Sequence, residues 1–486
     1  EQKVRILALM DRSPLGKRSE GYSNRAVANQ ANWNGAKLLE VTQDKLTEID
    51  DWGKLNMADP QTLKRLVLLA QDKYPAQRYA LFLVDHGKAW AGLCSDNSAS
   101  RPDDTLDLKE LGQALEGLEK PLELLAFDAC MMGSLEVYLA LAPSTRTMIA
   151  SQDTLPGEGL EYHRALSPLL ARPQMSGREL GSSFLEAYRQ SMVDDPEEMG
   201  RLQLALLDSA PHADLAKAWQ NLSLQLLKVA KSQWMSLALS RAKAQTFRVE
   251  TDPRQGAEVH DVGQLLLQFR QRIPTLAPAV QAVEKQLHLV VVEQVLGRFR
   301  KSTGGLSVFF PPQAEYLSET PDLDYVSSID GLAPGWVAFL KQFTKLERDF
   351  QSRPTLSKVQ LVRKGKRIDL QARVGERKTI AQSYTILVRD NRILGQTTCA
   401  LPEDSTLLRD FFDGRWIVLK EKSREQALYA QLQSVELESP QSAYALATLS
   451  CQLKRKDNPG WSDARLYFAL KPEDPELSAR FLGVQR

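Results

Sequence analysis

The sequence predicts an α/β fold: a mainly parallel sheet flanked by helices, with a helical insertion and a C-terminal β-rich domain. Three observations carry this. Over the first ~170 residues short apolar runs alternate with amphipathic helical stretches, the pattern of βαβ units. Two of these runs, one of them continuous, stop abruptly at polar residues, as a strand covered on both faces does at its carboxyl end. From about Arg353 the pattern changes to period-two alternation broken by turn signals.

Val4 to Met10 and Ala36 to Val41 are the first strand candidates. Asp59-Pro60 then supplies an N-cap and a first-turn proline. Leu63, Leu66, Val67 and Ala70 follow at i, i+3, i+4 and i+7, which predicts a helix over about Pro60 to Lys73. Tyr79 to Val84 is a continuous apolar run that stops at Asp85-His86-Gly87. Leu108, Leu111, Leu115 and Leu118 form a second helical stripe, and Leu122 to Phe127 a second buried strand, ending in Asp128-Ala129-Cys130. Met131 to Leu141 reads as a helix opening at the cysteine and stopped by Pro143, and Thr147 to Ser151 as a further strand.

A capping box, Ser176-x-x-Glu179, opens a helix carried by Leu180, Phe184 and Tyr188. The middle of the chain is more helical, with stripes at Leu215, Trp219, Leu222, Leu226 and at Val262, Leu265, Leu266, Phe269. Leu306 to Phe310, stopped by Pro311-Pro312, suggests a return to the sheet. The last segment shows short alternating strands: Ile368, Leu370, Ala372, Val374; Tyr384, Ile386, Val388 before Asp390-Asn391; and Arg415 to Leu419 after an Asp413-Gly414 turn. The expected division is a core over 1–200, a helical insertion over 201–300, a return to the core over 301–350 and a β-rich domain over 351–486.

A length of 486 residues suits about three domains. Lys plus Arg number 62 against 61 for Asp plus Glu, a net charge of +1, so no global attraction to nucleic acid or an anionic membrane is expected. Apolar residues make up 43 %, too many for a disordered chain. No run approaches the ~18 apolar residues of a membrane span. The chain starts at Glu1 rather than at a methionine, compatible with a removed signal peptide or a trimmed chain. Four cysteines, Cys94, Cys130, Cys399 and Cys451, lie far apart with no CxxC and no histidine at ligand spacing, which indicates neither a zinc site nor a dense disulfide scaffold.

Reactive groups of an open α/β sheet collect outside the carboxyl ends of its strands. His86 and Cys130 both fall at such ends, one βα unit apart, as a cysteine nucleophile with a histidine base requires. A helix starting at Cys130 would favour the thiolate. Ala129 and Gly133 would let a substrate backbone approach. The bland alternative is an inert core cysteine.

Several ordered stretches resemble the clostripain family of cysteine peptidases, whose fold is related to that of caspases. They are Asn56 to Leu63, Tyr74 through Asp85-His86-Gly87 to Trp90, Phe127-Asp-Ala-Cys-Met-Met-Gly133, and Ala150-Ser-Gln-x-x-x-Pro-Gly-x-Gly159 with Tyr162. Gly304 to Pro311 and Trp336 to Leu340 extend the likeness to about residues 1–345. The resemblance implies a caspase-like core and a catalytic dyad of His86 and Cys130, with the backbone N–H groups of Gly87 and Cys130 as oxyanion donors. It implies cleavage of polypeptides after Arg, and also Lys, with Asp128 and Glu158 as the acids that receive the basic side chain. For Asp128 the alternative is a strand-end acid that caps nearby N–H groups, and for Glu158 an exposed loop acid.

Secretion is implied too. Internal cleavage between the two motifs would fall at Lys88, Arg101, Lys109 or Lys120, of which Arg101 and Lys120 precede proline. No cofactor is required by this chemistry; some relatives need calcium, and the chain has no EF-hand spacing, which leaves only an irregular oxygen site for that ion. Cys94 reads as a packed loop thiol, His163 as an exposed histidine near the cleft, and Cys399 with Cys451 as a candidate pair. Two rivals stay open, a caspase-like binding protein without activity and an acyl-transferring ligase or transamidase. Labelling of Cys130 by an Arg-based electrophile discriminates the first, and product analysis with an added amine the second.

Overall fold

The computed structural model describes residues 4–12, 26–42, 45–96, 104–191, 202–247, 259–297, 300, 302–311, 314–320 and 323–349, and the strands of residues 360–485. Backbone contacts divide the chain into two units, Glu1–Asp349 and Phe350–Arg486.

The first unit is built on a five-stranded sheet in the order Val291–Leu296, Gln203–Asp208, Thr147–Ala150, Leu124–Asp128, Ala80–Val84. Ala80–Val84 and Thr147–Ala150 each run parallel to Leu124–Asp128 between them. Gln203–Asp208 is antiparallel to both of its neighbours. Leu124–Asp128 is buried at every position, as its unbroken apolar run predicts. Ala80–Val84, predicted as a strand covered on both faces, is instead the edge strand, and Val84 at its end is 61 % exposed.

One face of the sheet is covered by the helices Tyr162–Ala171 and Gly177–Ser191. Phe184, Leu185 and Tyr188 pack there on Leu124, Ala126, Ile149, Leu204 and Leu206. Burial of side chains of this size contributes about 1.5–3 kcal/mol each. Leu125 and Phe127 alternate to the opposite face and are fully buried. The capping box forms as read: Ser176 N–H donates to the Glu179 carboxylate and Glu179 N–H donates to Ser176 Oγ. The helix Pro60–Lys73 also matches its expected bounds, with Asp59 accepting from Gln61 N–H at its start.

Three expectations are corrected. The two N-terminal strands do not enter the central sheet; Ile6–Arg12 and Gly35–Val41 form a separate antiparallel sheet with Leu46–Gly53. That third strand escaped the reading because register shifts against its partner break its period-two alternation. Ala36, Leu38 and Trp52 seat this sheet on Leu66 and Leu69 of the helix Pro60–Lys73. Second, residues 201–300 are not a purely helical insertion. The helices His212–Val229, Val262–Arg272 and Ala277–Val290 are present, with both predicted stripes buried. They are flanked, however, by two strands of the central sheet, Gln203–Asp208 and Val291–Leu296. Third, Ser307–Phe309 does not return to that sheet; it pairs antiparallel with Val259–Asp261.

The described strands of the second unit pair antiparallel throughout. They include a three-stranded sheet with Gln360–Lys364, Arg367–Arg373 and Leu407–Asp410, and a four-stranded sheet from Gln431–Gln433 to Ala479–Gln485. Asp390-Asn391, Asp413-Gly414, Arg101 and Cys399 lie outside the described residues.

Candidate active site

The register of the two parallel strands brings the predicted pair together. Val84 lies opposite Asp128. His86 and Cys130 each follow two residues later, just past the carboxyl ends of these neighbouring strands. The ladder continues past the strand end through Asp85 N–H, which donates to Asp128 O at 3.3 Å. His86 is exposed and Cys130 partly exposed, so both are open to solvent and substrate.

Gly87 explains how closely these ends approach. A Cβ placed there would sit 2.2 Å from Cys130 O and 3.1 Å from Cys130 N, inside the contact distance of any side chain. Gly87 also forms an isolated bridge with Leu93. The hydrogen bonds of that bridge are Lys88 N–H to Gly92 O and Cys94 N–H to His86 O, so the N–H of Gly87 itself takes no part in it.

The turn after the nucleophile candidate differs from the sequence expectation. The helix begins at Leu135, capped by Ser134, not at Cys130. Cys130 and Met131 lie instead in a tight turn, with Met131 at φ 62°, the left-handed region that side chains avoid. Such a conformation persists only where the surroundings enforce it. Here Met131 N–H donates to Asp153 O at 3.0 Å and Gly133 N–H to Ser151 O at 2.7 Å, so the loop after the strand Thr147–Ala150 clamps the turn. With no helix terminus beside it the thiol gains no dipole support. Burial pushes the Cys130 thiol up, the charges of Asp153 and Asp128 push it the same way, and the N–H of Leu155, 3.3 Å from Sγ, opposes them.

Asp128 is 8 % exposed and faces the loop that carries Gly159. Its Oδ1 accepts from Leu160 N–H at 3.1 Å and its Oδ2 from Tyr162 OH at 3.0 Å. Gly159, at φ 70°, lies so near that a Cβ would meet both carboxylate oxygens within 2.7 Å. The capping role weighed from sequence is thus realised. Each oxygen keeps a further lone pair for another donor. Burial raises the Asp128 carboxyl, partly offset by these two donors. Glu158 stands exposed on the same loop.

Two residues that shape the site had no sequence signal. Asp153 is 7 % exposed and is paired with Arg300, whose Nε lies 2.7 Å from Oδ2. Asp153 sat unmarked inside the Ala150 to Gly159 motif, and Arg300 is remote in sequence with no local pattern around it. Deeper still, Gln152 donates to Asp261 at 2.9 Å and accepts from Gln203 at 3.1 Å and from Gly305 N–H at 3.0 Å. Asp261 also caps the helix Val262–Arg272.

Behind the nucleophile turn, Glu136 is fully buried, accepting from Phe309 N–H at 2.9 Å and Tyr325 OH at 3.0 Å. Burial, its largest influence, raises this carboxyl despite the donors around it. A group whose folded pKa is raised contributes stability below its unfolded pKa of about 4.3 and loses it as pH climbs through the folded value. Glu136→Gln is accordingly expected to remove part of the decline in melting temperature with rising pH. A melting curve series from pH 4 to 9 checks this, and an unchanged slope contradicts it.

Cys94 is also at positive φ, 56°, but its thiol is pushed up to about 12 by burial and by the Asp85 charge, which makes it unreactive. His163 is exposed on the helix Tyr162–Ala171. Cys451 lies in the strand Ala445–Lys454. Among the described residues no three His, Cys, Asp or Glu side chains gather as metal ligands, and no helix is long and apolar enough to cross a membrane.

A histidine and a cysteine thus stand just past the carboxyl ends of adjacent parallel strands of an α/β sheet. The sequence profile of the clostripain family, peptidase C11, matches residues 2–292, and the chain belongs to that family. Clostripain of Hathewaya histolytica is 25 % identical over 261 residues, covering 47 % of this chain and 48 % of its own, so the chain spans about half the length of this curated relative. Among solved structures, a secreted C11 cysteine protease from Bacteroides thetaiotaomicron, held with an irreversible peptide inhibitor, is 17 % identical. It covers 63 % of this chain and 85 % of its own at a TM-score of 0.45. An inactive zymogen C11 protease from Parabacteroides distasonis is 18 % identical and covers 62 % and 85 % at a TM-score of 0.44.

Proposed function

We propose that the chain is an endopeptidase that cleaves after Arg, and also after Lys, through Cys130 and His86. The observation that carries this is the shared register: both residues stand two positions beyond the paired strand ends, with Gly87 packed on Cys130. His86 takes the thiol proton as Cys130 Sγ attacks the scissile carbonyl. The tetrahedral oxyanion lies against the N–H groups of Gly87 and Cys130, fixed backbone donors that need no reorganisation. His86 then returns the proton to the leaving amine, and a water that it activates hydrolyses the thioester to the free acid. The steps use protein groups and water and require no cofactor. Secretion fits the same reading.

Asp128 and Glu158 flank the loop beside the nucleophile and form the acidic end of the pocket for the P1 side chain. A P1 guanidinium donates to the remaining lone pairs of Asp128 and draws Glu158 inward. A panel of reporter peptides differing only at P1 tests this. Asp128→Asn and Glu158→Gln are expected to lower kcat/KM on Arg and Lys peptides by about 10- to 100-fold, the range of a lost charged hydrogen bond, and to spare neutral P1 residues. Equal loss across the panel would leave Asp128 only its capping of Leu160 and Tyr162.

A further inference from the structure

We propose that Arg300 is a positioning residue for the nucleophile: its ion pair with Asp153 holds the turn that carries Cys130 and offsets the charge of Asp153 beside that turn. The inference rests on the reading of Cys130 as nucleophile.

Asp153 is the hub of the turn. Its carbonyl accepts the N–H of Met131 at 3.0 Å and the hydroxyl of Ser151 at 3.0 Å, and its Oδ1 accepts the N–H of Thr154 at 2.9 Å. The next residue along, Leu155, reaches Cys130 Sγ with its own N–H. Any shift of Asp153 therefore moves the strained Met131 and the donor to the sulfur together. Arg300 fixes it from the far side, with Nε 2.7 Å and Nη2 2.5 Å from Oδ2.

Arg300 is itself built in. Its guanidinium lies 5.6 Å from the Phe247 ring centroid, its side chain is 18 % exposed, and its carbonyl accepts the N–H and hydroxyl of Thr303 at 2.9 and 2.8 Å. The arginine comes from the connection after the strand Val291–Leu296, far in sequence from the nucleophile.

The electrostatic part follows from which charges face the thiol. Asp153 and Asp128 both oppose the thiolate, and His86 stands on the neighbouring strand end. Asp128 meets the neutral donors Leu160 and Tyr162, whereas Asp153 meets a cation. With Arg300 removed, the charge of Asp153 acts on the sulfur uncompensated, and a partly buried charge left alone is strongly felt.

The test is the pH dependence of iodoacetamide alkylation at Cys130, followed by peptide mass mapping, which reads the thiol whether or not peptides are cleaved. Arg300→Gln is expected to raise the alkylation midpoint by about one pH unit, the size of one charge removed at close range, and to lower kcat at neutral pH about tenfold with KM little changed. Arg300→Lys keeps the charge and is expected to restore most of the midpoint. The double variant Asp153→Asn/Arg300→Gln removes both charges and is expected to bring the midpoint back, a reversal that a merely structural contact cannot produce. A midpoint in Arg300→Gln equal to that of the parent, or a double variant shifted as far as the single one, overturns the proposal. If Arg300→Gln does not fold, Asp153→Asn alone, which leaves Arg300 without its anionic partner, is expected to lower the midpoint, and an unchanged midpoint overturns the proposal. Failure of the underlying reading is separate, since it would show as turnover persisting in Cys130→Ala.

Discussion

Cys130→Ala is expected to lower hydrolysis of Arg-linked reporter peptides by three or more orders of magnitude, the scale on which loss of a covalent nucleophile acts. The fold is expected to remain. Only Sγ is removed from a partly exposed position, where it accepts the N–H of Leu155. That loss amounts to about 0.5–1.5 kcal/mol, or a few degrees in melting temperature. Circular dichroism with a melting curve, run beside the kinetic assay, separates the two effects. Intact turnover in the variant would remove Cys130 from the chemistry, and with it the dyad.

Gly87→Ala is expected to damage both chemistry and stability. A Cβ at Gly87 meets the carbonyl oxygen of Cys130 at 2.2 Å, and that oxygen is backbone and cannot rotate away. Either the His86 strand end or the Cys130 turn must move by about an ångström, and misplacement on that scale costs catalysis on the order of 100-fold. The overpacked backbone contact adds about 1–3 kcal/mol of destabilisation. The combination is diagnostic: a drop in kcat together with a lower melting temperature. A variant that melts lower but turns over normally would contradict the proposed role of these backbone groups as oxyanion donors.

How much of this was legible in the sequence depends on the range of the interactions. The helix Pro60–Lys73, the capping box of Ser176 and Glu179 and the buried stripes of His212–Val229 were readable, because cap chemistry and side-chain periodicity are local. The placement of His86 and Cys130 at neighbouring strand ends was readable because each ends an apolar run, and the structure adds the shared register. The separation of the N-terminal strands into a sheet of their own was not, since a strand candidate does not name its partner, and register shifts hid the third strand. The supposed helix start at Cys130 failed for a similar reason. The segment from Met131 to Leu141 reads as one helix, yet the loop through Ser151 and Asp153 holds Met131 and Gly133 out of it. Asp153 with Arg300, and Gln152 with Gln203 and Asp261, pair across long separations in sequence, and neither residue of such a pair marks the other.

The most direct measurement is covalent capture. An arginyl acyloxymethyl ketone is added to the parent chain, to Cys130→Ala and to His86→Ala, and the adduct is located by intact mass and peptide mapping. The predicted result is one adduct per chain at Cys130, suppressed in His86→Ala and absent from Cys130→Ala, with Cys94 unlabelled because its thiol stays protonated. An adduct on Cys94, no adduct at Cys130, or equal labelling by an electrophile with a neutral residue in place of arginine would contradict an arginine-directed Cys130 nucleophile.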